Sequence, residues 1–361
     1  MTPNASLDNT LFRQIAEFNH EQVSLWYDPD SAYRGIIAIH NTALGRALGG
    51  TRFWDYTNDA QALNDVLRLS RGMTYKAAIA GLNLGGGKSV ILGDTKTAKR
   101  EGVFRSHGRH VESLKGRYIT AEDVNTSPAD MDWIHKETEH VVGLKDKSGN
   151  PSPVTAYGVY RGMKACAKFL WGKDDLSGRT VTLQGCGSVG YFLAELLSQE
   201  GAKLIVTDID ADKVKKIVAD FKATAVAPDA IYGQPADIFA PCALGAVIDD
   251  KTIPQLKVKI VAGGANNQLA EARHGDVLAE RGIVYAPDYA INGGGLINVN
   301  AELEGWSRER ARDKAGHIYD TILEVLELAQ RKKISSHVAA DEVALTRITA
   351  AEQAKGLSHR P

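Results

Sequence analysis

Apolar residues recur every three or four positions between residues 59 and 80, which is typical of a helix with one buried face. The recurring side chains are Ala62, Val66, Leu69, Met73 and Ala77. Short apolar runs predict buried strands at residues 35–40, 50–54, 89–92 and 118–120. Residues 85–87, a run of three glycines, are predicted to form a loop before the third of these strands. The first 150 residues therefore predict a mixed α/β domain.

The pattern changes after a segment rich in proline, glycine and serine at residues 145–153, which predicts a hinge. Short apolar strands then alternate with helices, and this alternation is typical of a parallel sheet with helices on both faces. The predicted strands are 180–184, 203–207, 237–240, 259–262 and 283–286, and the predicted helices between them include 189–199 and 212–221. From residue 308 onward the pattern is helical. We therefore expect two α/β domains separated by a cleft, one formed by residues 1–148 and a closing helix at about 338–361, the other by residues 149–337.

Composition narrows the class of protein. The 361 residues are 43% hydrophobic and 24% charged, which are ordinary globular values, and the net charge of −1 offers no basic excess for nucleic acid or a membrane surface. No apolar run approaches the length of a membrane span, and the polar N-terminus has no signal-peptide pattern, so a cytoplasmic protein is expected. Three cysteines in no ligand spacing and ten histidines without a zinc motif predict neither a disulfide framework nor a metal site.

A glycine-rich motif lies in the context of a dinucleotide site. The pattern G-x-G-x-x-G follows the predicted strand 180–184 and opens the next helix, at Gly185, Cys186, Gly187, Ser188, Val189 and Gly190. Such a loop lets the backbone approach a pyrophosphate at the helix N-terminus. Asp208, after the next predicted strand, is placed to bind ribose hydroxyls and would repel a 2′-phosphate, which favours NAD over NADP. The alternative, a turn without a ligand, is disfavoured because strand, glycines, helix and acid agree. The second domain is therefore predicted to be a Rossmann-like NAD-binding domain.

Two lysines lie in apolar surroundings near the predicted loop. A nucleotide-phosphate loop of the G-x-x-x-x-G-K-S type would need glycine at position 82, which is Leu82, so a nucleoside triphosphatase is excluded. Lys76 and Lys88 flank the helix–loop–strand corner and can converge on one pocket, where burial and a like charge would lower a lysine pKa. The alternative is that both ammonium groups reach solvent.

Asp123 follows the predicted strand 118–120 and is open to two interpretations. It can move protons beside a lysine base, or it can be a first-turn acid of the helix predicted near Pro128.

The ordered motifs resemble the superfamily of glutamate, leucine, valine and phenylalanine dehydrogenases, and within it the leucine dehydrogenases most. The motifs that carry the resemblance are ALGGTR from Ala47, MTYK from Met73, GLNLGGGK from Gly81, TAED from Thr120, PSPVTAYGVY from Pro151, ANNQL from Ala265 and APDYAIN from Ala286. The resemblance extends over nearly the whole chain. It implies oxidation of an L-amino acid by NAD and water to a 2-oxo acid and ammonium, by a homo-oligomer; the balanced charge predicts no nucleic-acid or membrane partner.

The resemblance also implies a role for each matching residue. Lys76 would bind the substrate carboxylate, Lys88 would activate water, and Asp123 would carry protons to and from the substrate nitrogen. The backbone of Gly49 and Gly50 would line the same cleft. Further implied contacts are Thr155 and Asn267 to the nicotinamide side and Asn292 to the substrate.

Four apolar positions would line the side-chain pocket, namely Leu48, Ala121, Leu296 and Val299. An apolar pocket disfavours glutamate, whose second carboxylate would be buried without a partner. The alanine at position 121 resembles the residue found there in leucine dehydrogenases, whereas the leucine at position 296 resembles the residue found there in phenylalanine dehydrogenases. Branched aliphatic substrates are favoured, and the alternatives are an aromatic substrate or an NAD-binding regulator without catalysis.

Overall fold

The computed structural model describes residues 11–145 and 149–356. The polar N-terminus, residues 146–148 of the predicted hinge and the end of the predicted closing helix lie outside the described residues. The chain forms two compact units, Met1–Gly149 with Ala344–Pro361, and Asn150–Val343. Among the described residues, no helix combines the length and apolarity that a membrane span requires.

The first unit is built on a five-stranded mixed sheet with the order β1-β2-β4-β3-β5. Strands β1 and β2, and also β2 and β4, are antiparallel, whereas β3 is parallel to both β4 and β5. Its elements are α1 (Leu11–Glu17), β1 (Gln22–Asp28), β2 (Tyr33–Asn41), β3 (Ala47–Trp54), α2 (Asp59–Ile79), β4 (Gly85–Leu92), α3 (Arg100–Ser113), β5 (Tyr118–Glu122) and α4 (Pro128–His135).

The predicted helix and the four predicted strands of this unit are confirmed, but the loop at residues 85–87 is wrong. The three glycines begin β4, and every residue of this strand is buried. They are strand residues because their neighbours leave no room for side chains: a Cβ at Gly86 would lie 2.1 Å from the Thr74 amide nitrogen of α2, and one at Gly87 would lie 2.6 Å from the Tyr118 ring. Bare backbone thus lets α2 and β5 pack directly against β4.

Strand β1, at the edge of this sheet, was not among the predicted strands. Its side chains alternate poorly, and Leu25 and Tyr27 are exposed, so the sequence carries little of the period-two signal of a half-buried strand. Pairing with β2 across its whole length is what makes it a strand.

The two faces of the sheet carry separate cores. On one face α2 packs against β2 and β4 through Val66, Leu67 and Val90, among others. On the other, Phe53, Ile91 and Phe104 pack with residues of α3 and α4. Alternate residues of β4 therefore point to α2 and to α3, in keeping with the period of two along a strand.

The second unit contains a six-stranded sheet that is parallel throughout, with the order β11-β10-β9-β6-β7-β8. This is a doubly wound order. Successive strands are added on one side of β6 and then on its other side, so that the strand order reverses between β6 and β9. The elements are α5 (Ser152–Trp171), β6 (Thr180–Gln184), α6 (Ser188–Gln199), β7 (Lys203–Thr207), α7 (Ala211–Phe221), β8 (Thr224–Ala225), β9 (Ile238–Pro241), β10 (Ile260–Val261), α8 (Arg273–Glu280), β11 (Val284–Tyr285), α9 (Asp288–Ile291), α10 (Gly294–Leu303), α11 (Arg308–Gly316), α12 (Ile318–Lys332) and α13 (Ser336–Ala354).

The predicted alternation of strands and helices is confirmed, as is the helical character after residue 308. Strand β8 was not predicted, and at two residues it is too short to give a hydrophobic pattern. Ser152 and Pro153, placed in the hinge by composition, are the first residues of α5, because proline is well suited to the first turn of a helix. The boundary between the two units falls within α13, between Val343 and Ala344.

A buried polar network lies on the α3 face of the first sheet. The Thr51 hydroxyl contacts His107 Nε2 at 2.9 Å, and the Tyr33 hydroxyl contacts both His107 Nδ1 at 2.8 Å and His110 Nδ1 at 3.0 Å. The Tyr118 hydroxyl donates to the Gly49 carbonyl at 2.6 Å. Burial lowers the pKa of His110 to about 4 and holds that of His107 well below its ordinary value. Both imidazoles are therefore neutral in the folded protein near pH 7.

These histidines make the stability of the protein dependent on pH. An unfolded histidine binds a proton below its ordinary pKa of 6.5, whereas folded His110 does so only near pH 4, so the unfolded state binds more protons between these values. The free energy of unfolding should fall across this window, and for His110 alone the fall should reach about 3 kcal/mol. His110→Gln should flatten the dependence measured by urea unfolding at pH 7, 6, 5 and 4.5.

His317→Gln is the matched control, because His317 is an exposed histidine of the second unit. It should leave the slope of unfolding free energy against pH as in the original protein. Equal slopes for His110→Gln and the original protein would contradict the assignment of this pH dependence to the buried network.

Candidate active site

Lys88 lies in the middle of β4, with its side chain on the α2 face of the sheet. Only 5% of this residue is exposed. Gly86 on the same face contacts Thr74 of α2, and Val90 packs with apolar residues of the same helix. A buried ammonium group is costly unless it is paired with an opposite charge.

Asp123 supplies that opposite charge. It follows the last residue of β5, and its Oδ1 lies 3.0 Å from Lys88 Nζ. Its backbone N–H donates to the Thr126 hydroxyl at 2.8 Å, and the same hydroxyl lies 3.1 Å from the carbonyl oxygen of Thr51. The helix that follows is capped by Ser127, which forms a capping box with Asp130. Asp123 is therefore not a helix cap, and the structure supports the other interpretation, a carboxylate beside a lysine.

The two groups shift each other's proton affinity. Burial lowers the pKa of Lys88 below its usual value, although the carboxylate of Asp123 opposes this effect. Burial alone would raise the pKa of Asp123, but the positive charges of Lys88 and Arg52 hold that pKa below its usual value. A lysine with a lowered pKa beside an ionised carboxylate is suited to taking and returning protons.

The register of the sheet brings further predicted residues to the Lys88 face. Gly50 pairs with Ala121 of β5. On the other side Leu48 pairs with Gly86 and Thr51 with Ser89, so that Gly50 lies level with Lys88. Lys88, Gly50 and Ala121 thus form one row across the sheet, and Leu48 lies on the same face two residues before Gly50. Because Gly50 has no side chain, this row has only backbone between Lys88 and Ala121.

Lys76 lies in the last turn of α2 and is half-buried. The same helix is seated on β4 by the contact between Thr74 and Gly86. The structure thus places Lys76 near the end of the helix that covers the face carrying Lys88.

The glycine motif of the second unit forms the turn from β6 to α6. Gly185 has a φ of +105°, a conformation that favours glycine, and a Cβ at Gly190 would lie 2.0 Å from the Gly185 carbonyl oxygen. A Cβ at Gly187 would meet no protein atom within 4 Å, so this side of the turn is open. The motif therefore combines a tight turn and close packing with an open approach to the N-terminus of α6, which suits a pyrophosphate.

Asp208 directly follows β7, and its carboxylate stabilises this turn by accepting hydrogen bonds from backbone N–H groups. Its Oδ2 accepts a hydrogen bond from the Cys186 N–H at 2.6 Å, and its Oδ1 accepts one from the Asp210 N–H at 2.9 Å. The carboxylate is held beside the glycine turn, where the sequence predicts that it binds ribose. Val189 and Ser188 form the first turn of α6, and Ser188 is exposed.

Three polar residues of the predicted site lie elsewhere in the same unit. Thr155 lies in the first turn of α5 and donates to the Pro151 carbonyl at 3.0 Å. Asn267 has a φ of +50°, in the left-handed region. Asn292 is buried and donates to Asn266 Oδ1 at 2.8 Å, so that the loop after β10 is tied to the end of α9.

The remaining two pocket residues belong to α10. Leu296 is buried and Val299 is half-buried, and a spacing of three places them on one side of this helix.

One cluster has the residue types of a metal site. Ligand atoms of Asp250, Glu271 and His274 all lie within 4.8 Å of one another. Arg273, however, pairs with Asp250 at 2.5 Å and with Glu271 at 2.9 Å. The acidic charges of this cluster are thus compensated by a guanidinium group, and it is an ion-pair cluster.

Arg52 was not among the predicted site residues, although it lies in the ALGGTR motif. Its Nε donates to Asp123 Oδ2 at 3.0 Å, and its Nη1 donates to Asp65 Oδ2 at 2.9 Å. Position in the motif was the available signal, because Arg52 lies on β3 only two residues after Gly50. The partners of this side chain, however, are set by the packing of three separate elements.

The second unit, with its doubly wound sheet and open glycine turn, and the first unit, with its buried lysine–carboxylate pair, define a dinucleotide-dependent oxidoreductase class. Two family models match the chain: the Glu/Leu/Phe/Val dehydrogenase dimerisation domain at residues 20–140, and the Glutamate/Leucine/Phenylalanine/Valine dehydrogenase domain at residues 206–356. The chain belongs to the Glu/Leu/Phe/Val dehydrogenase family.

Individual relatives agree with this assignment. The chain is 56% identical over 348 residues to the leucine dehydrogenase of Geobacillus stearothermophilus, an alignment that covers 96% of this chain and 95% of the relative. It is 46% identical to the phenylalanine dehydrogenase of Caldalkalibacillus thermarum over 93% of this chain and 92% of that one. Its fold matches the crystal structure of L-tryptophan dehydrogenase from Nostoc punctiforme with a TM-score of 0.88 and 44% identity, covering 95% of this chain and 100% of that one.

Proposed function

We propose that this chain is an NAD-dependent L-amino-acid dehydrogenase that acts on leucine and other branched aliphatic amino acids. The reaction is reversible oxidative deamination to the 2-oxo acid and ammonium. The observation that carries the proposal is the buried pair of Lys88 and Asp123, 3.0 Å apart, in a chain 56% identical to a leucine dehydrogenase. A regulator that only bound NAD would have no need to bury this costly pair.

Lys88 would act as the base that activates water. Attack of water on the carbon of a substrate iminium requires removal of a proton, and a lysine is available for this only when it is neutral. Burial lowers the pKa of Lys88 from its ordinary value and so increases the neutral fraction at moderately alkaline pH. Asp123, which contacts the Lys88 ammonium group, would carry protons to and from the substrate nitrogen.

The substrate carboxylate requires a positive charge, and we assign this role to Lys76. The backbone of Gly49 and Gly50, in the strand next to Lys88, would line the same site. Asn292 would also contact the substrate.

The glycine turn and the acid after β7 fit NAD. The open side of Gly187 and the N-terminus of α6 would hold the pyrophosphate, together with Gly185, Cys186, Ser188, Val189 and Gly190. Asp208 would bind the ribose, and Thr155 and Asn267 the nicotinamide side. Bound NAD would accept the hydride that leaves the substrate Cα.

Substrate choice would rest on the apolar side chains of Leu48, Ala121, Leu296 and Val299. One methylene in such a pocket changes binding by only about 1–3 kcal/mol, so activity toward several apolar amino acids is expected. Leu296 is the observation that favours the second candidate, an aromatic amino acid. We further propose a homo-oligomer, in keeping with the dimerisation-domain model that matches residues 20–140, and a cytoplasmic location.

The substrate proposal is tested by NADH formation at 340 nm with NAD and a panel of L-amino acids. We expect kcat/KM to be highest for leucine, valine and isoleucine, and at least tenfold lower for phenylalanine and glutamate, which differ in size and charge. Preference for phenylalanine would establish the second candidate. Absence of NADH formation with every amino acid would overturn the enzyme assignment and leave an NAD-binding regulator.

Lys88→Ala should lower kcat for leucine oxidation by about 10²–10⁴-fold while the Kd for NAD changes little, because the residue is proposed to act only on the reacting groups. In the original enzyme kcat/KM should rise with pH to a plateau reached below the ordinary lysine pKa of 10.5, since the neutral form is the active one. Lys136→Ala, at an exposed lysine, is the control and should be fully active. Loss of NAD binding in Lys88→Ala would show a structural role instead.

Asp208→Asn should raise the kcat/KM ratio of NADP to NAD by about tenfold or more, because it removes the charge that repels a 2′-phosphate and keeps an amide oxygen able to accept from Cys186. Asp208→Ala also removes that hydrogen bond and should weaken both cofactors. Asp212→Asn, at an exposed acid of α7, is the matched control. An unchanged NADP to NAD ratio in Asp208→Asn would refute the ribose role.

A further inference from the structure

Arg52 lies at the centre of a network of ion pairs that includes the Lys88–Asp123 pair. It lies on β3, and 22% of its side chain is exposed. The guanidinium group spans two carboxylates, with Nε donating to Asp123 and Nη1 donating to Asp65 of α2. Such a bridge uses the fork of donors that only arginine offers.

The two oxygens of Asp123 are divided between two cations. Oδ1 faces Lys88 Nζ at 3.0 Å, and Oδ2 accepts from Arg52 Nε at 3.0 Å. Because each oxygen has its own partner, rotation of the carboxylate would break both contacts. The orientation of Asp123 toward Lys88 is therefore maintained by Arg52.

Asp65 in turn holds Arg52. Its Oδ2 accepts from the Tyr56 hydroxyl at 2.8 Å, and its Oδ1 accepts from Arg68 Nη2 at 3.2 Å. Burial raises the pKa of Tyr56, and its hydrogen bond to Asp65 adds to that effect, so Tyr56 donates as a neutral phenol. Asp65 thus balances the charge of Arg52 and fixes the guanidinium between β3 and α2.

We propose that Arg52 is a positioning residue for the reaction proposed above: it orients Asp123 toward Lys88 and balances the carboxylate charge that Lys88 experiences. This inference rests on the proposed function for its effect on turnover. Its effect on Lys88 is measurable without turnover.

The charged groups that act on Lys88 come from each neighbouring element. Asp123 after β5 and Asp65 of α2 raise its pKa, whereas Arg52 of β3 lowers it. Lys76 is a further cation, near the end of α2, the helix that covers the face of the sheet carrying Lys88. Removal of Arg52 leaves two carboxylates without their shared cation, so Lys88 would hold its proton more tightly and its pKa would rise.

The experiment compares the original enzyme with Arg52→Gln and Arg52→Lys in leucine oxidation as a function of pH. In Arg52→Gln we expect the acidic limb of the kcat/KM profile to move up by about one pH unit and kcat at pH 8 to fall by about ten- to a hundredfold. The KM for NAD should remain unchanged. Arg52→Lys keeps the charge without the bridge, so it should restore the position of the limb and only part of kcat.

Arg68→Gln is the matched control, because Arg68 also pairs with Asp65, through the other carboxylate oxygen, and 59% of its side chain is exposed. It should shift neither the limb nor kcat appreciably. A shift in Arg68→Gln equal to that in Arg52→Gln would show a general charge effect and overturn the positioning role. Arg52→Gln could instead lose kcat and unfold at a lower temperature while the acidic limb of its kcat/KM profile stays in place. That result would show that Arg52 only stabilises the packing of β3 against α2, and it would overturn the positioning role.

A second measurement keeps the inference separate from the proposed function. The pH dependence of Lys88 acetylation by acetic anhydride, quantified by peptide mass spectrometry, reports the pKa of Lys88 without any substrate. A midpoint that rises by about one unit in Arg52→Gln supports the inference even if no amino acid is oxidised, in which case only the proposed function fails. An unchanged midpoint overturns the inference.

Discussion

The burial of one ammonium group determines much of the first unit. Lys88 lies in the middle of a strand whose residues are all buried, where an unpaired charge would cost several kcal/mol. Two carboxylates and a second cation surround it, so that Lys88, Arg52, Asp123 and Asp65 together carry no net charge. Their elements, β3, β4, α2 and the segment after β5, must all be in place for the charges to balance. The site and the packing of the sheet therefore depend on each other.

Bare backbone is the second requirement of this arrangement. A side chain at Gly86 would collide with α2, and one at Gly50 would lie 2.3 Å from the Glu122 carbonyl oxygen. The bare backbone at Gly86 lets α2 pack on β4, and that at Gly50 leaves room for the segment after β5 that carries Asp123. In the glycine motif of the second unit, Gly185 and Gly190 serve the turn and its packing, while Gly187 faces open space. The same residue type thus meets two different needs, close packing and access for a ligand.

The face of the sheet opposite Lys88 carries a polar, uncharged network beside its apolar core. His107 and His110 are kept neutral by burial and join hydroxyl groups of neighbouring strands. One member, Tyr118, donates to the carbonyl of Gly49, which lies in the strand segment beside Lys88. Neutral hydrogen bonds can hold this backbone from behind without adding a charge to the Lys88 environment.

Local sequence was sufficient for several parts of the molecule. The long amphipathic helix α2, the strands β6 and β7 and the glycine motif each carry their own signal within a few consecutive residues. Strand β1 and the run from Gly85 to Gly87 do not, because a poorly alternating edge and consecutive glycines have no intrinsic strand pattern. Their structure comes from pairing with distant strands.

What the sequence by itself determined is the set of chemical groups and their order: two lysines, an acid after a strand, a dinucleotide turn and the family to which they belong. Tertiary structure alone decided which groups meet. The strand order β1-β2-β4-β3-β5 is not the order along the chain, and it places Lys88 level with Gly50, close to Arg52 and Asp123. Local patterns depend on neighbours along the chain, whereas the partner of a buried charge is selected by the whole packed sheet and the helix upon it.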